Sequence, residues 1–151
     1  MHERLSIHAV CFPGASFREL AGYWRELGAH RVSLVSNLVL EEGLAAAQEA
    51  LRASNCTVES ITHPFLLLPG RHLEQRNQES WRDARDTLSR LIQTSKRLGA
   101  RSIYMLTGGH GSLTWEEAAE VFRVAIAFVD PVPERRYSPL LDIAGDEHSL
   151  P

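Results

Sequence analysis

The chain has 151 residues, 44% of them hydrophobic, and a formal net charge of −3 with histidine neutral. This size and apolar content predict one globular domain with a buried core. The basic residues are scattered, so a nucleic acid is not expected as the main partner. No run reaches the ~18 apolar residues that a membrane helix needs, and no signal-peptide core is present. A cytoplasmic protein without a membrane partner is therefore expected.

The first strand–helix unit is predicted at the start of the chain. Leu5–Phe12 is a largely apolar run that ends at Pro13-Gly14, which is typical of a buried strand. Ser16 and Glu19 have the S-x-x-E spacing of a capping box and predict a helix start. The helix is expected to end at Gly28 and to bury an apolar side formed by Leu20, Tyr23, Trp24 and Leu27.

The second and third units follow in the same order. Arg31–Val35 is strand-like, Ser36-Asn37 is expected to break the strand, and Glu41–Ala53 has helical spacing. Thr57–His63 is rich in β-branched residues and predicts a third strand. A long connection, Pro64–Glu79, precedes the next helix.

Two further helices and one further strand complete the regular part of the chain. Ser80 predicts the cap of a helix over Trp81–Leu98, and Ser102–Leu106 predicts a fourth strand. Thr114 and Glu117 form a second capping box before a fourth helix, whose apolar side is expected to comprise Ala118, Val121, Phe122, Ala125 and Phe128.

A short internal sequence repeat supports this division into units. Leu27–Leu34 reads "LGAHRVSL" and Leu98–Met105 reads "LGARSIYM", so one helix–strand junction occurs twice. Repeated βα units predict a parallel sheet with helices packed outside it, as in doubly wound sheets and (β/α)₈ barrels. Three prolines interrupt the sequence after Ala127, which predicts a domain over 1–128 and an irregular tail over 129–151, with Leu140–Ala144 compatible with a short fifth strand.

Three segments resemble the N-terminal half of the xylose isomerase-like TIM barrels, a superfamily of sugar-phosphate isomerases, epimerases and apurinic-site endonucleases. They are Leu5–Phe12 with its capped helix, "ESITHPF" at Glu59–Phe65, and above all "GARSIYMLTGGHGSLTWEEAAEVFRVAIA" at Gly99–Ala127. The resemblance covers about Leu5–Ala127. It implies an α/β fold, a partial TIM barrel of about four to five parallel βα units. It also implies a metal-assisted isomerase or epimerase that moves a proton next to a carbonyl of a small sugar or polyol.

The resemblance also implies a metal site for Mn, Zn or Mg. His63 and His110 match, by position, histidine ligands after strands three and four in the endonuclease branch. Asp142, in "LLDIAGD", is a shifted stand-in for the first carboxylate ligand after strand five. Read from its own residues, His63 is instead expected to be a hydrogen-bonded structural histidine.

Working residues of a (β/α)₈ barrel lie at the carboxyl ends of the strands. The residues expected there as substrate contacts are Asn37, Thr107, Gly108 and Gly109. Backbone N–H groups of the Gly108–Gly111 loop, at a helix start, could bind an anionic substrate group. The same glycines could instead serve only a tight turn.

Two other functions compete with the isomerase. Four or five βα units cannot close a barrel, so a truncated, non-catalytic half barrel would expose two sheet edges and self-associate; a homo-oligomer is expected. The third alternative, a DNA-repair endonuclease that acts at apurinic sites, is disfavoured by the acidic balance of the chain.

Overall fold

The computed structural model describes residue 2, residues 4–65 and residues 78–127. Four strands alternate with helices in this part of the chain: β1 Ile7–His8, α1 Phe17–Glu26, β2 Arg31–Val35, α2 Ser36–Ser54, β3 Thr57–Pro64, α3 Gln78–Leu98, β4 Ser102–Leu106 and α4 Trp115–Ile126. The predicted tail over 129–151, including Leu140–Ala144, lies outside the described residues, as does Phe128.

The sheet has the order β1-β2-β3-β4, and every neighbouring pair is parallel. Successive helices contact one another, α1 with α2, α2 with α3 and α3 with α4. In a (β/α) barrel, the order of the strands in the sheet is the same as their order in the sequence. In a doubly wound sheet, the strand order changes direction within the sheet. The predicted fold, an α/β partial TIM barrel, is therefore confirmed.

The hydrophobic core lies between the sheet and its helices. Phe17, Leu20 and Trp24 of α1 pack with Val32 and other alternate strand residues: Leu34, Val58 and Ile61. A second cluster follows β3 and comprises Phe65, Leu88 and Ala125. Burying each large apolar side chain stabilises the fold by about 1.5–3 kcal/mol. None of the described helices combines the length and apolarity needed to cross a bilayer.

Both predicted capping boxes are present. The Ser16 hydroxyl accepts from the Glu19 N–H at 3.3 Å, and the Glu19 carboxylate accepts from the Ser16 N–H at 2.8 Å. Thr114 and Glu117 do the same at the start of α4. These caps satisfy N–H groups that have no partner within the first helical turn, so each helix begins where the sequence predicts.

The predicted apolar side of α1 is partly wrong. Leu20 and Trp24 are buried together with Phe17 and Ala21, but Tyr23 is 39% exposed and Leu27 is 48% exposed. Positions 17, 20, 21 and 24 form the stripe that faces the core at helical spacing. Tyr23 instead stacks on Phe12, with the ring centroids 4.9 Å apart.

The first strand is shorter than predicted. Only Ile7–His8 pairs with β2, and Ala9–Cys11 form a 3₁₀ turn. The turn is stabilised by the His8 ring, whose Nδ1 accepts the Val10 N–H at 3.1 Å. Val10 is consequently exposed, although its apolar character indicated a buried strand.

Two helices begin earlier than predicted. Strand β2 ends at Val35, so Ser36-Asn37 breaks the strand as predicted, but no loop follows: α2 begins at Ser36 and has its irregularity at Gly43, where φ is 86° and ψ is 169°. The predicted helix Glu41–Ala53 corresponds mainly to the part after this kink. Helix α3 already runs from Gln78, so Ser80 is not its cap.

Candidate functional site

Serine side chains line the face of the sheet opposite the helices, here called the inner face. Ser33 pairs with Ser60 and Ser60 with Ser102 in the strand register. The Ser33 hydroxyl lies 3.0 Å from that of Ser6 and 2.9 Å from that of Ser60. We call Ser6, Ser33 and Ser60 the serine ladder. Two hydrogen bonds join its three hydroxyl groups, so each of them has a partner within the ladder.

The sequence carries a signal for this ladder that sequence reasoning missed. A serine followed by Ile or Leu lies in each strand or directly before it: "SIH" at Ser6, "SLV" at Ser33, "SIT" at Ser60 and "SIY" at Ser102. Because strand side chains alternate between faces, the aliphatic residue points to the helices and the serine to the inner face. The third residue of each triplet then lies one layer nearer the carboxyl ends of the strands.

That next layer contains a histidine–threonine pair, again missed from the sequence. His8 Nε2 lies 2.7 Å from Thr62 Oγ1. Since His8 Nδ1 accepts the Val10 N–H, the neutral ring carries its proton on Nε2 and donates it to Thr62. Burial lowers the pKa of His8, so the ring is neutral at pH 7. Tyr104 is the register partner of Thr62 on β4 and borders the same layer.

His63 ends β3 as predicted, but its side chain is fully buried on the other face. It lies two residues from Ile61 and from Phe65, which both belong to the core against the helices. Its Nδ1 is 2.8 Å from the hydroxyl of Ser36, the first residue of α2. Its Nε2 is buried and has no hydrogen-bond partner among the described residues. Burial lowers the pKa of His63 to about 4, so the ring is neutral.

His110 lies in the exposed loop between β4 and α4. Its Nδ1 is 2.9 Å from the Leu113 carbonyl oxygen. A carbonyl only accepts, so Nδ1 carries a proton, and Nε2 is the nitrogen that a neutral ring would offer to a ligand. Gly108 and Gly111 have φ of 88° and 66°, in the left-handed region that favours glycine, so the tight-turn role is present.

The remaining predicted substrate contacts lie where strands end. Thr107, Gly108 and Gly109 follow β4 directly, and Asn37 is the exposed second residue of α2, immediately after β2. All of them therefore border the carboxyl edge of the sheet. Asp142 lies outside the described residues.

A metal site does not emerge from the described part of the chain. His63 lies near the end of β3, and His110 follows the neighbouring strand β4. The His63 side chain is buried under the helices, however, whereas His110 is in an exposed loop. Within residues 4–65 and 78–127, no three His, Cys, Asp or Glu side chains come together as metal ligands would. These residues do not fit a divalent ion by themselves, and we derive no step through one.

No protein-family model and no curated protein sequence matches the chain. Solved structures do match. Protein SMc04130 from Sinorhizobium meliloti 1021 is 21% identical with a TM-score of 0.64, over 83% of this chain and 44% of that one. A xylose isomerase domain protein from Alicyclobacillus acidocaldarius is 19% identical with a TM-score of 0.51, over 66% and 34%. The 3-keto-D-glucoside 4-epimerase YcjR from E. coli is 10% identical with a TM-score of 0.61, over 83% and 50%.

These likenesses define the class of fold. The chain has the fold of a xylose isomerase-like (β/α) barrel in partial form, as the sequence resemblance predicts, and it shares this fold with a sugar epimerase. It spans half or less of the length of each of these solved structures. At 10–21% identity the likeness extends to the fold alone.

Proposed function

We propose that this chain contributes the strand-end site of a sugar isomerase or epimerase, in which a proton is transferred next to a carbonyl of a small sugar, sugar phosphate or polyol derivative. The observation that carries the proposal is the inner face: the His8–Thr62 pair above the serine ladder, on a fold shared with a sugar epimerase. In this fold, ligands bind at the carboxyl edge of the strands.

The chemistry of the inner face fits an uncharged, oxygen-rich ligand. Ser, Thr and neutral His side chains donate and accept hydrogen bonds without a formal charge. Hydroxyl and carbonyl oxygens of a sugar are matched partners for such groups. For a phosphorylated sugar, the N–H groups of the Thr107–Gly111 loop, next to the start of α4, would supply donors to the anionic group.

A divalent metal (Mn, Zn or Mg) remains part of the proposal, with donors beyond the described residues. His110 offers one imidazole nitrogen at the correct edge of the sheet. Asp142 would supply a carboxylate. For His63 to join them, its side chain would have to leave its buried contact with Ser36.

The test is proton exchange next to a carbonyl. The purified chain is incubated in D₂O with D-xylulose, D-fructose or a 3-keto-glucoside, with and without MnCl₂, MgCl₂ or ZnCl₂, and followed by ¹H NMR. We expect loss of the signal of the C–H beside the carbonyl, because removal of that proton lets deuterium replace it. Absence of exchange from every substrate, with and without every metal, would contradict the proposal. The variant His30→Gln is a control that should exchange like the wild type, because His30 precedes β2 at the opposite edge of the sheet.

The sheet edges favour a second candidate, a self-associating half barrel that lacks catalytic activity. Among the described strands, β1 and β4 each pair with one neighbour only. Such edges present unpaired N–H and C=O groups to another chain. Homo-oligomerisation is compatible with catalysis as well, so it is tested separately below.

A further inference from the structure

The His8–Thr62 pair has a hydrogen-bond donor that remains available. His8 Nε2–H donates to Thr62 Oγ1, because His8 Nδ1 is already occupied as an acceptor of the Val10 N–H. A threonine hydroxyl that accepts from a ring N–H still carries its own proton. The Thr62 side chain makes no second hydrogen bond within the part of the chain that the structure describes.

The direction of that donor is limited by what surrounds it. One layer deeper, the hydroxyl groups of the serine ladder bond to one another at 2.9 and 3.0 Å. On the opposite face of β3, Ile61 and His63 are fully buried under the helices. Thr62 itself is half-buried. The Thr62 hydroxyl therefore faces the inner side of the sheet, above a layer whose hydroxyl groups each have a partner within the ladder.

We propose that Thr62 is a specificity-determining donor for an oxygen atom of a bound polyol or sugar, and that His8 is the positioning residue that orients its hydroxyl. This inference rests on the proposed function and adds the residues that select the ligand. The ligand group must be an acceptor, a hydroxyl or carbonyl oxygen, since Thr62 already accepts from His8. A site built to hydrogen-bond such an oxygen discriminates against an analogue that lacks it.

The experiment compares ligand binding among threonine variants of the full chain. ¹H–¹⁵N NMR titrations with xylitol and with D-xylulose measure Kd for the wild type, Thr62→Val, Thr62→Ser and Thr57→Val. Valine keeps the shape and the β-branched backbone preference of threonine but removes the hydroxyl. Thr57 is the matched control, because it is on the same strand with its hydroxyl bonded to the His30 carbonyl at the other edge of the sheet.

We expect Thr62→Val to weaken binding roughly three- to tenfold, the effect of one hydrogen bond. Thr62→Ser and Thr57→Val should stay within about twofold of the wild type, because both leave a hydroxyl at position 62. If the wild type binds but Thr62→Val binds equally well, or if serine fails to restore binding, the inference is overturned while the proposed function stands. If the wild type binds neither ligand, this inference is overturned, and the exchange test above decides the proposed function.

The role of His8 has a readout that does not depend on a ligand. Long-range ¹H–¹⁵N NMR of the imidazole rings distinguishes the two neutral tautomers. We expect His8 to be in the Nε2–H form at pH 7, with Thr62→Val altering its Nε2 shift. An Nδ1–H tautomer would overturn the positioning role. His110, which is held by Leu113 in the opposite tautomer, is an internal reference.

Discussion

His63 is the side chain whose chemistry is most strongly changed by its surroundings. It is fully buried, and one of its two ring nitrogens has no partner among the described residues. Its contact with Ser36 joins the end of β3 to the start of α2. A buried imidazole in that position couples strand and helix, and its burial favours the neutral form.

This burial predicts a pH-dependent stability. The pKa of His63 is about 4 in the folded chain and has an ordinary value of 6.5, so below pH 6.5 the unfolded chain binds a proton that the folded chain does not. The free energy of unfolding should therefore fall by about 2 kcal/mol from this group between pH 7 and pH 5. Urea unfolding at both pH values measures it. His63→Gln cannot titrate, so it should show a correspondingly smaller loss; an equal loss in both proteins would refute the assignment. His8 titrates in both proteins and cancels in the comparison.

The Ser36–His63 hydrogen bond is testable at the neighbouring position. Ser36→Ala leaves a second buried ring nitrogen without a partner, so we expect a loss of about 1–3 kcal/mol in the free energy of unfolding. Asn37→Ala changes the adjacent, exposed residue of the same helix and should stay within about 0.5 kcal/mol of the wild type. Chemical denaturation of the three proteins gives both values. Equal stability of Ser36→Ala and the wild type would show that the bond contributes nothing.

At the scale of the elements, the kink in α2 is the feature that ordinary helix propensity does not explain. Gly43 adopts φ 86° and ψ 169°, a region that is essentially restricted to glycine. The preceding residue, Glu42, places its carboxylate 3.2–3.3 Å from the Phe17 N–H at the start of α1. An anionic group is favourable at a helix N-terminus. The kink therefore connects the start of α1 to the start of the second helical segment of α2, the part that follows Gly43.

Two glycine substitutions with opposite expected signs test this. Gly43→Ala should lower the free energy of unfolding by about 1–3 kcal/mol through backbone strain, since a Cβ there would meet no atom within 4 Å and no clash contributes. Gly22→Ala, inside α1 with equally open space, should raise it by about 0.5–1 kcal/mol. Thermal and urea unfolding measure both. A stabilising Gly43→Ala would mean that the chain can continue α2 without the kink.

The order of the strands and helices could largely be predicted from the sequence, because capping residues and strand-forming runs are local sequence signals. The capping boxes at Ser16 and Thr114 and the bounds of β4 depend on residues close in sequence, and the structure reproduces them. The ends of β1 and the start of α2 could not be predicted in this way. The first depends on a ring nitrogen of His8, and the second has no side-chain cap that would mark it in the sequence.

The inner face was predictable in principle, and so was the burial of His63. Alternation places His63 in one row with Ile61 and Phe65, toward the helices, and places Thr62 in the row of Ser60. Position at a strand end identifies the edge of the sheet but not the face. Position at the strand end therefore predicts where His63 lies along the strand, and only the alternation predicts which face its side chain occupies.

At the scale of the whole molecule, the open sheet predicts association. A sheet whose described edges are β1 and β4 can gain hydrogen bonds by pairing with a second copy. Light scattering coupled to size-exclusion chromatography should give at least twice the mass of one chain, with a shift to lower mass on dilution. A mass of one chain at every concentration would contradict the prediction of a homo-oligomer.

The direct passage from Val35 to Ser36 has a consequence for how such a site can diversify. Since strand β2 and helix α2 share no connecting segment, an insertion there would disrupt a paired strand or a helical turn. Changes in ligand preference are therefore confined, on this side of the opening, to side-chain replacement, of which Asn37 is the exposed example. Changes in length can be accommodated at the same edge of the sheet, in the connection between β4 and α4 that contains His110.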